Sequence, residues 1–151
     1  MKGRKRVLFL CTGNSCRSQM AEGWARHLHA DTLEPHSAGV APHRIDPRAV
    51  QVMAEAGVDI SGQTPKHVDE LRGLDFDCVV TVCDGARERC PVFPGRARKV
   101  HRSFDDPPRL AAGAATEEEA LAYYRRVRDE IRAFVDGLAA ELAGERDGRS
   151  G

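Results

Sequence analysis

The 151-residue chain has no long apolar run, no excess of charge of either sign and no cysteines in C-x-x-C spacing. Each absence removes a class of protein. Without an apolar span of about 18 residues there is no candidate membrane-crossing helix. The opening MKGRKRVLFLC begins with charges, as a signal peptide does, but its apolar run falls short of the roughly 7–15 residues an export signal needs, so the expected location is the cytoplasm. Lys+Arg number 23 and Asp+Glu 23, so no overall field marks a nucleic-acid or membrane-surface binder. There is no internal repeat. The length suits one domain with a core of its own, expected over residues 1–143, followed by a frayed, solvated tail, GERDGRSG, over 144–151. Five cysteines, at 11, 16, 78, 83 and 90, are an odd number, and a reducing compartment would keep them as thiols.

What is present reads as alternating strands and helices. RVLFLC, 6 to 11, is a continuous apolar run, the pattern of a strand covered on both faces. From Ser18 the residues Met20, Ala21, Trp24, Ala25 and Leu28 recur at helical spacing. LEPHSAG supplies a second strand. DPRAVQVMAEAG then supplies a helix with Asp46 as N-cap, Pro47 in its first position and Gly57 as its stop. CVVTVC at 78 to 83 and ARKVHR at 97 to 102 are two further strand candidates. The last helix opens on a capping box of Thr116 and Glu119 and carries a core stripe of Leu121, Tyr124, Val127, Ile131, Val135, Leu138 and Leu142. Helices between strands predict a parallel α/β sheet with helices on both faces, its ligands bound beyond the carboxyl ends of the strands. Cys11 and Cys83 fall at two such ends.

The turn between the first strand and helix, CTGNSCRS, places Cys11 and Arg17 in Cys-x5-Arg spacing around Thr12, Gly13, Asn14, Ser15 and Cys16. Gly, Asn and Ser tolerate the unusual backbone angles of a turn whose N–H groups converge on an anion. The helix N-terminus adds about half a positive charge, and Arg17 offers a planar fork of donors suited to a tetrahedral oxyanion. The same field predicts a lowered pKa for the Cys11 thiol, with the Ser18 hydroxyl donating to it. Cys11 is then a nucleophile aimed at a bound oxyanion.

CTGNSCRSQMAEGWA between a strand and a helix resembles the phosphate-binding loop of the low-molecular-weight protein tyrosine phosphatase superfamily, and in particular its thioredoxin-coupled arsenate reductases. The similarity continues through SAG at 37 to 39, GVDISGQT at 57 to 64, VVTVCDGARERCP at 79 to 91 and FDDP at 104 to 107. It implies a three-layer α/β/α sandwich around a four-stranded parallel sheet of order 2-1-3-4. It also implies that the general acid, needed because an oxide leaves poorly unless protonated, is the aspartate before proline, Asp106 rather than Asp105. By the same correspondence Cys83 attacks Cys11 and Cys90 then attacks Cys83, ending in a Cys83–Cys90 disulfide. Arsenate can accept two electrons in such a relay, whereas a phosphatase has no need of further thiols. DGARER, between the two cysteines, suits a segment that rearranges. Cys16 reads as a small core residue or a lesser redox partner, and Cys78 as a small hydrophobe. Zinc is disfavoured because neither the cysteine gap nor the scattered histidines match a usual ligand spacing.

The resemblance further implies a potassium ion beside the loop, held by residues matching Asn14, Glu22, Ser37 and Thr64 and by an aspartate two positions after the threonine. Here that position is Lys66. Two readings stand: the ammonium takes the ion's place, or the lysine is an exposed loop residue. The expected function is reduction of arsenate to arsenite, with phosphate or sulfate as competing oxyanions and weak phosphatase activity alongside. The expected protein is a monomer without a tightly bound cofactor, recycled by thioredoxin, although a glutaredoxin or a small thiol would attack a disulfide by the same chemistry. The alternatives are a low-molecular-weight phosphatase and an oxyanion-binding or arsenic-binding protein without turnover.

Overall fold

The structure, a computed structural model, describes residues 3–90 and 97–149. Four strands, β1 (Lys5–Cys11), β2 (Leu33–Gly39), β3 (Cys78–Thr81) and β4 (Arg98–His101), form one sheet in the order β2-β1-β3-β4. Every pairing is parallel. Among the described residues five α-helices and a short 3-10 turn (Val68–Leu71) accompany them: α1 (Arg17–Leu28), α2 (Pro47–Glu55), α3 (Asp84–Arg89), α4 (Pro107–Ala111) and α5 (Glu117–Arg149). They cover both sides of the sheet, which gives the expected three layers.

β1 is central because Val7, Leu8, Phe9 and Leu10 are all fully buried, so both of its faces need apolar cover. α1 supplies part of that cover with Met20, Ala21 and Ala25 at 0% exposure, and packs on β1, β2 and α5. The α5 stripe predicted from spacing is buried from Leu121 to Leu142. Its capping box is skewed: Thr116 Oγ1 accepts from Glu119 N–H at 3.1 Å, but the Glu119 carboxylate reaches back to Ala115 N–H rather than to Thr116. α2 begins as predicted, with Asp46 accepting from Arg48 N–H at 2.9 Å, and it stops before Gly57 at φ +86°, a left-handed position that favours glycine.

Three local features differ from the sequence reading. The β3 strand ends at Thr81, and the DGARER segment is wound as α3 with Cys83 as its N-cap. α4, which follows directly on Asp106, has too few residues to show a helical period. α5 continues to Arg149, so its backbone takes in most of the segment that composition assigns to a tail. Glu and Arg at 145, 146 and 149 are adequate helix formers.

The strand order reverses direction between β1 and β3, which places a crevice beyond their carboxyl ends. Cys11 closes β1 there, and Cys83 lies two residues past β3.

Candidate active site

The loop from Cys11 to Arg17 is turned inside out by its carbonyls. The oxygens of Thr12, Gly13 and Ser15 accept from the N–H groups of Ala41, His43 and Asp46 at 2.8–2.9 Å. With the oxygens anchored outward, the N–H groups face the other way. Those of Gly13, Ser15 and Cys16 meet no acceptor among the described residues, which is the arrangement an oxyanion requires. Gly39, beside the loop, has no alternative: a Cβ there would lie 2.6 Å from Thr12 O and 2.9 Å from Asn14 N.

Asn14 is the keystone. It is fully buried at φ +49°, a conformation that asparagine tolerates better than most residues. Its N–H points at Cys11 Sγ (3.2 Å) and its side-chain N–H donates to Ser18 Oγ (2.7 Å). Its Oδ1 accepts from Lys66 N–H, and its carbonyl from the Gln19 amide, both at 2.9 Å. Because the Asn14 amide already donates to Ser18 Oγ, the serine's own hydrogen is free for Cys11 Sγ, 2.9 Å away.

Cys11 departs from expectation in one respect. Burial holds its thiol above the ordinary value, outweighing the opposing pull of the Ser18 hydroxyl, the Ser18 backbone and Arg17, while the nearby Cys83 sulfur adds to the rise. The structure gives the reason. The sulfur belongs to a residue only 3% exposed, and the Arg17 guanidinium is engaged elsewhere, donating to Phe104 O at 2.9 Å with Asp106 Oδ1 3.6 Å away. A cation shared with a carboxylate draws less on a neighbouring thiol.

The two adjacent aspartates are told apart by direction. Asp105 turns outward to an ion pair with Arg126 on α5 at 3.0 Å. Asp106 faces the loop beside Arg17, and although it occupies the N-cap of α4 its carboxylate makes no capping bond. Thr12, Arg17, Cys83, Phe104 and both aspartates, Asp105 and Asp106, line one open cleft of about 580 Å³.

Cys83, two residues past β3, is brought to the loop by that strand, and its sulfur caps α3 by accepting from Ala86 N–H at 3.4 Å. Thr12 Oγ1 is 3.3 Å from that sulfur, a contact that no spacing in the sequence reveals, because 71 residues separate the pair. Cys90 lies at the far end of α3, half-buried, its thiol raised by burial against a downward pull from Lys99. Cys16 is 4% exposed and its thiol is pushed well up, by burial first and then by Asp46. Cys78 is fully buried in β3. Both belong to the core.

The residues expected beside a cation, or its lysine replacement, are also brought together. The Ser37 hydroxyl donates to Glu22, which pairs with Arg26 at 2.6 Å. The Lys66 ammonium donates to the carbonyl oxygens of Ser37 (3.2 Å) and Thr64 (2.9 Å).

The sequence over residues 6–147, which includes this loop, Cys83, Cys90 and the aspartate before proline, matches the family model of low molecular weight phosphotyrosine protein phosphatases. The chain belongs to this family. Within it, the chain is 48% identical over 127 residues to an arsenate reductase of Bacillus subtilis (strain 168), covering 84% of this chain and 89% of that protein. A solved arsenate reductase in its phosphate binding state is 33% identical, covers 91% of this chain and 98% of its own, and superposes with a TM-score of 0.72. The YwlE arginine phosphatase from Geobacillus stearothermophilus, 25% identical with a TM-score of 0.73, covers 94% of this chain and 95% of its own. One family fold thus carries both a redox and a hydrolytic chemistry. No helix among the described residues is long and apolar enough to cross a membrane.

Proposed function

We propose that this protein reduces arsenate to arsenite by a three-cysteine relay. The observation that carries the reading is a second thiol, Cys83, held at the mouth of the oxyanion loop by Thr12, where a hydrolase would need only water. In the first step Cys11 Sγ attacks arsenic: Cys–SH and HAsO4(2–) give Cys–S–AsO3(2–) and water, the single thiol proton reaching the departing oxygen by way of Asp106. Loop N–H groups and Arg17 hold the oxyanion, Ser18 steadies the sulfur as charge develops on it, and Asp106 protonates the departing oxygen.

In the second step Cys83 attacks Cys11 Sγ. The sulfur–arsenic bonding pair stays on arsenic, which leaves as arsenite with the proton of Cys83, and a Cys11–Cys83 disulfide forms. Cys90 then attacks Cys83, returning Cys11 as a thiol. An external dithiol, with thioredoxin as the family expectation, reduces the Cys83–Cys90 bond. The cleft takes phosphate and sulfate as competitors. The single domain works as a monomer in the cytoplasm without a tightly bound cofactor.

At the cation position the Lys66 ammonium donates to the carbonyl oxygens of Ser37 and Thr64, which supports the reading that it stands in for potassium. A tethered ammonium in that place makes the enzyme indifferent to the ion. In a salt-matched assay, replacing sodium by potassium leaves activity and Tm unchanged for the wild type; a marked gain would contradict the substitution.

A second reading, a phosphatase, draws on the arginine phosphatase relative. Cys83→Ser separates the two. It abolishes multiple-turnover arsenate reduction while sparing hydrolysis of a small aryl phosphate; unimpaired arsenite production would overturn the relay. A pure oxyanion binder would produce no arsenite from the wild type.

A further inference from the structure

We infer that His101 is a positioning residue of the relay: it fastens the first turn of α3 to β4, and release of that contact paces the passage of Cys83 from Cys11 to Cys90. The inference rests on the reductase reading above. His101 closes β4 in register with Thr81 of β3. Its Nδ1 lies 2.7 Å from Thr81 Oγ1 and its Nε2 3.1 Å from Asp84 Oδ1. With the Thr81 hydroxyl donating to Nδ1, the neutral ring carries its hydrogen on Nε2, where it donates to the Asp84 carboxylate. Asp84 is the first residue of α3, directly after Cys83.

The geometry of α3 makes this contact matter. Seven helical steps separate Cys83 from Cys90, an axial rise of about 10 Å, whereas a disulfide needs Cα atoms within about 7 Å. While α3 is wound the second exchange cannot occur, so the helix has to open. Two of its fastenings use the Cys83 sulfur itself, the Ala86 N–H bond and the Thr12 contact. Both weaken once that sulfur is bonded to Cys11. The His101–Asp84 contact does not involve the sulfur and persists into the intermediate. Between α3 and the β3–β4 edge, a cavity of about 250 Å³ lined by Thr81, Arg87, Cys90, Lys99 and His101 leaves space for the helix to rearrange.

A latch of this kind has an unusual signature. It aids the first thiol exchange, by holding Cys83 at the loop, and retards the second. The test mixes reduced enzyme with arsenate, quenches with an alkylating agent at intervals, and follows arsenite together with the Cys11–Cys83 and Cys83–Cys90 disulfides by mass spectrometry. His101→Ala is expected to slow arsenite release and to accelerate Cys11–Cys83 decay about fivefold, the equivalent of a hydrogen bond worth about 1 kcal/mol. His101→Gln, which retains a donor for Asp84, returns both rates toward wild type. A general structural lesion would slow both steps, and an idle histidine would change neither; either result overturns the latch. Amide exchange of residues 85–89 in the arsenic-free reduced protein reads the same contact without chemistry. Protection falls in His101→Ala if His101 holds α3, and unchanged protection overturns the proposal. A wild type that makes no arsenite would fail the reductase reading and leave that exchange measurement to decide the latch.

Discussion

The loop at the end of β1 and the short helix beyond β3 carry the two halves of the proposed chemistry, and they are built in opposite ways. In the loop, three carbonyls are tied outward, Asn14 uses both ends of its amide and both backbone groups, and Gly39 presses against it with no room for a methyl group. Such a structure cannot give way without breaking several bonds together. α3 has six residues, an N-cap made of the very sulfur that reacts, and an exposed Asp84 for its first turn. One region is made to hold an anion still, the other to let a thiol go. A relay needs both, because oxyanion binding rewards preorganisation whereas successive disulfides demand movement.

The comparison sharpens under mutation. Arg17→Lys keeps the charge but loses the planar fork and its bond to Phe104 O, so kcat/KM for arsenate is expected to fall about 10²–10³-fold. A change under tenfold would mean that the rigid side binds its anion by backbone alone. Ser18→Ala removes the hydroxyl that opposes burial at Cys11. Arsenite formation in the first turnover should drop about tenfold and its pH profile should move to higher pH, with decay of the Cys11–Cys83 disulfide untouched. Slowing of both would show that the two regions are not separable.

The core beneath them answers in stability and leaves the chemistry alone. Burial pushes the Cys78 thiol up to about 11. A thiol raised on folding contributes stability in full below its unfolded pKa and loses it as pH rises through the folded value. Wild type should therefore lose about 2 kcal/mol between pH 9 and 11 relative to Cys78→Ala, measured by denaturant unfolding, with activity at neutral pH unchanged. Equal pH slopes for the two proteins would place Cys78 outside the core's titration.

Much of this was legible in the sequence, for reasons particular residues make plain. The strand at 6 to 11 is apolar throughout because it is covered on both faces, and the α5 stripe holds its helical period from Leu121 to Leu142 because one face meets the core. Asp46, Pro47 and Gly57 mark the α2 boundaries through local backbone chemistry. What the sequence hides is set by distance. The Thr12–Cys83 contact, Arg17 on Phe104 O and the opposite turns of Asp105 and Asp106 are tertiary facts. The raised thiol of Cys11 is hidden too, because a motif shows the charges around a sulfur and not the solvent removed from it. α3 is illegible in the sequence because six residues between two cysteines carry too little period to outweigh a glycine.

The most direct test mixes fully reduced protein with one equivalent of arsenate and no external reductant, then measures arsenite and maps every thiol. One arsenite per chain is expected, with two of the five thiols lost to a Cys83–Cys90 disulfide and Cys11 recovered free. Five intact thiols after arsenate is bound, or a disulfide that includes Cys16 or Cys78, would contradict it.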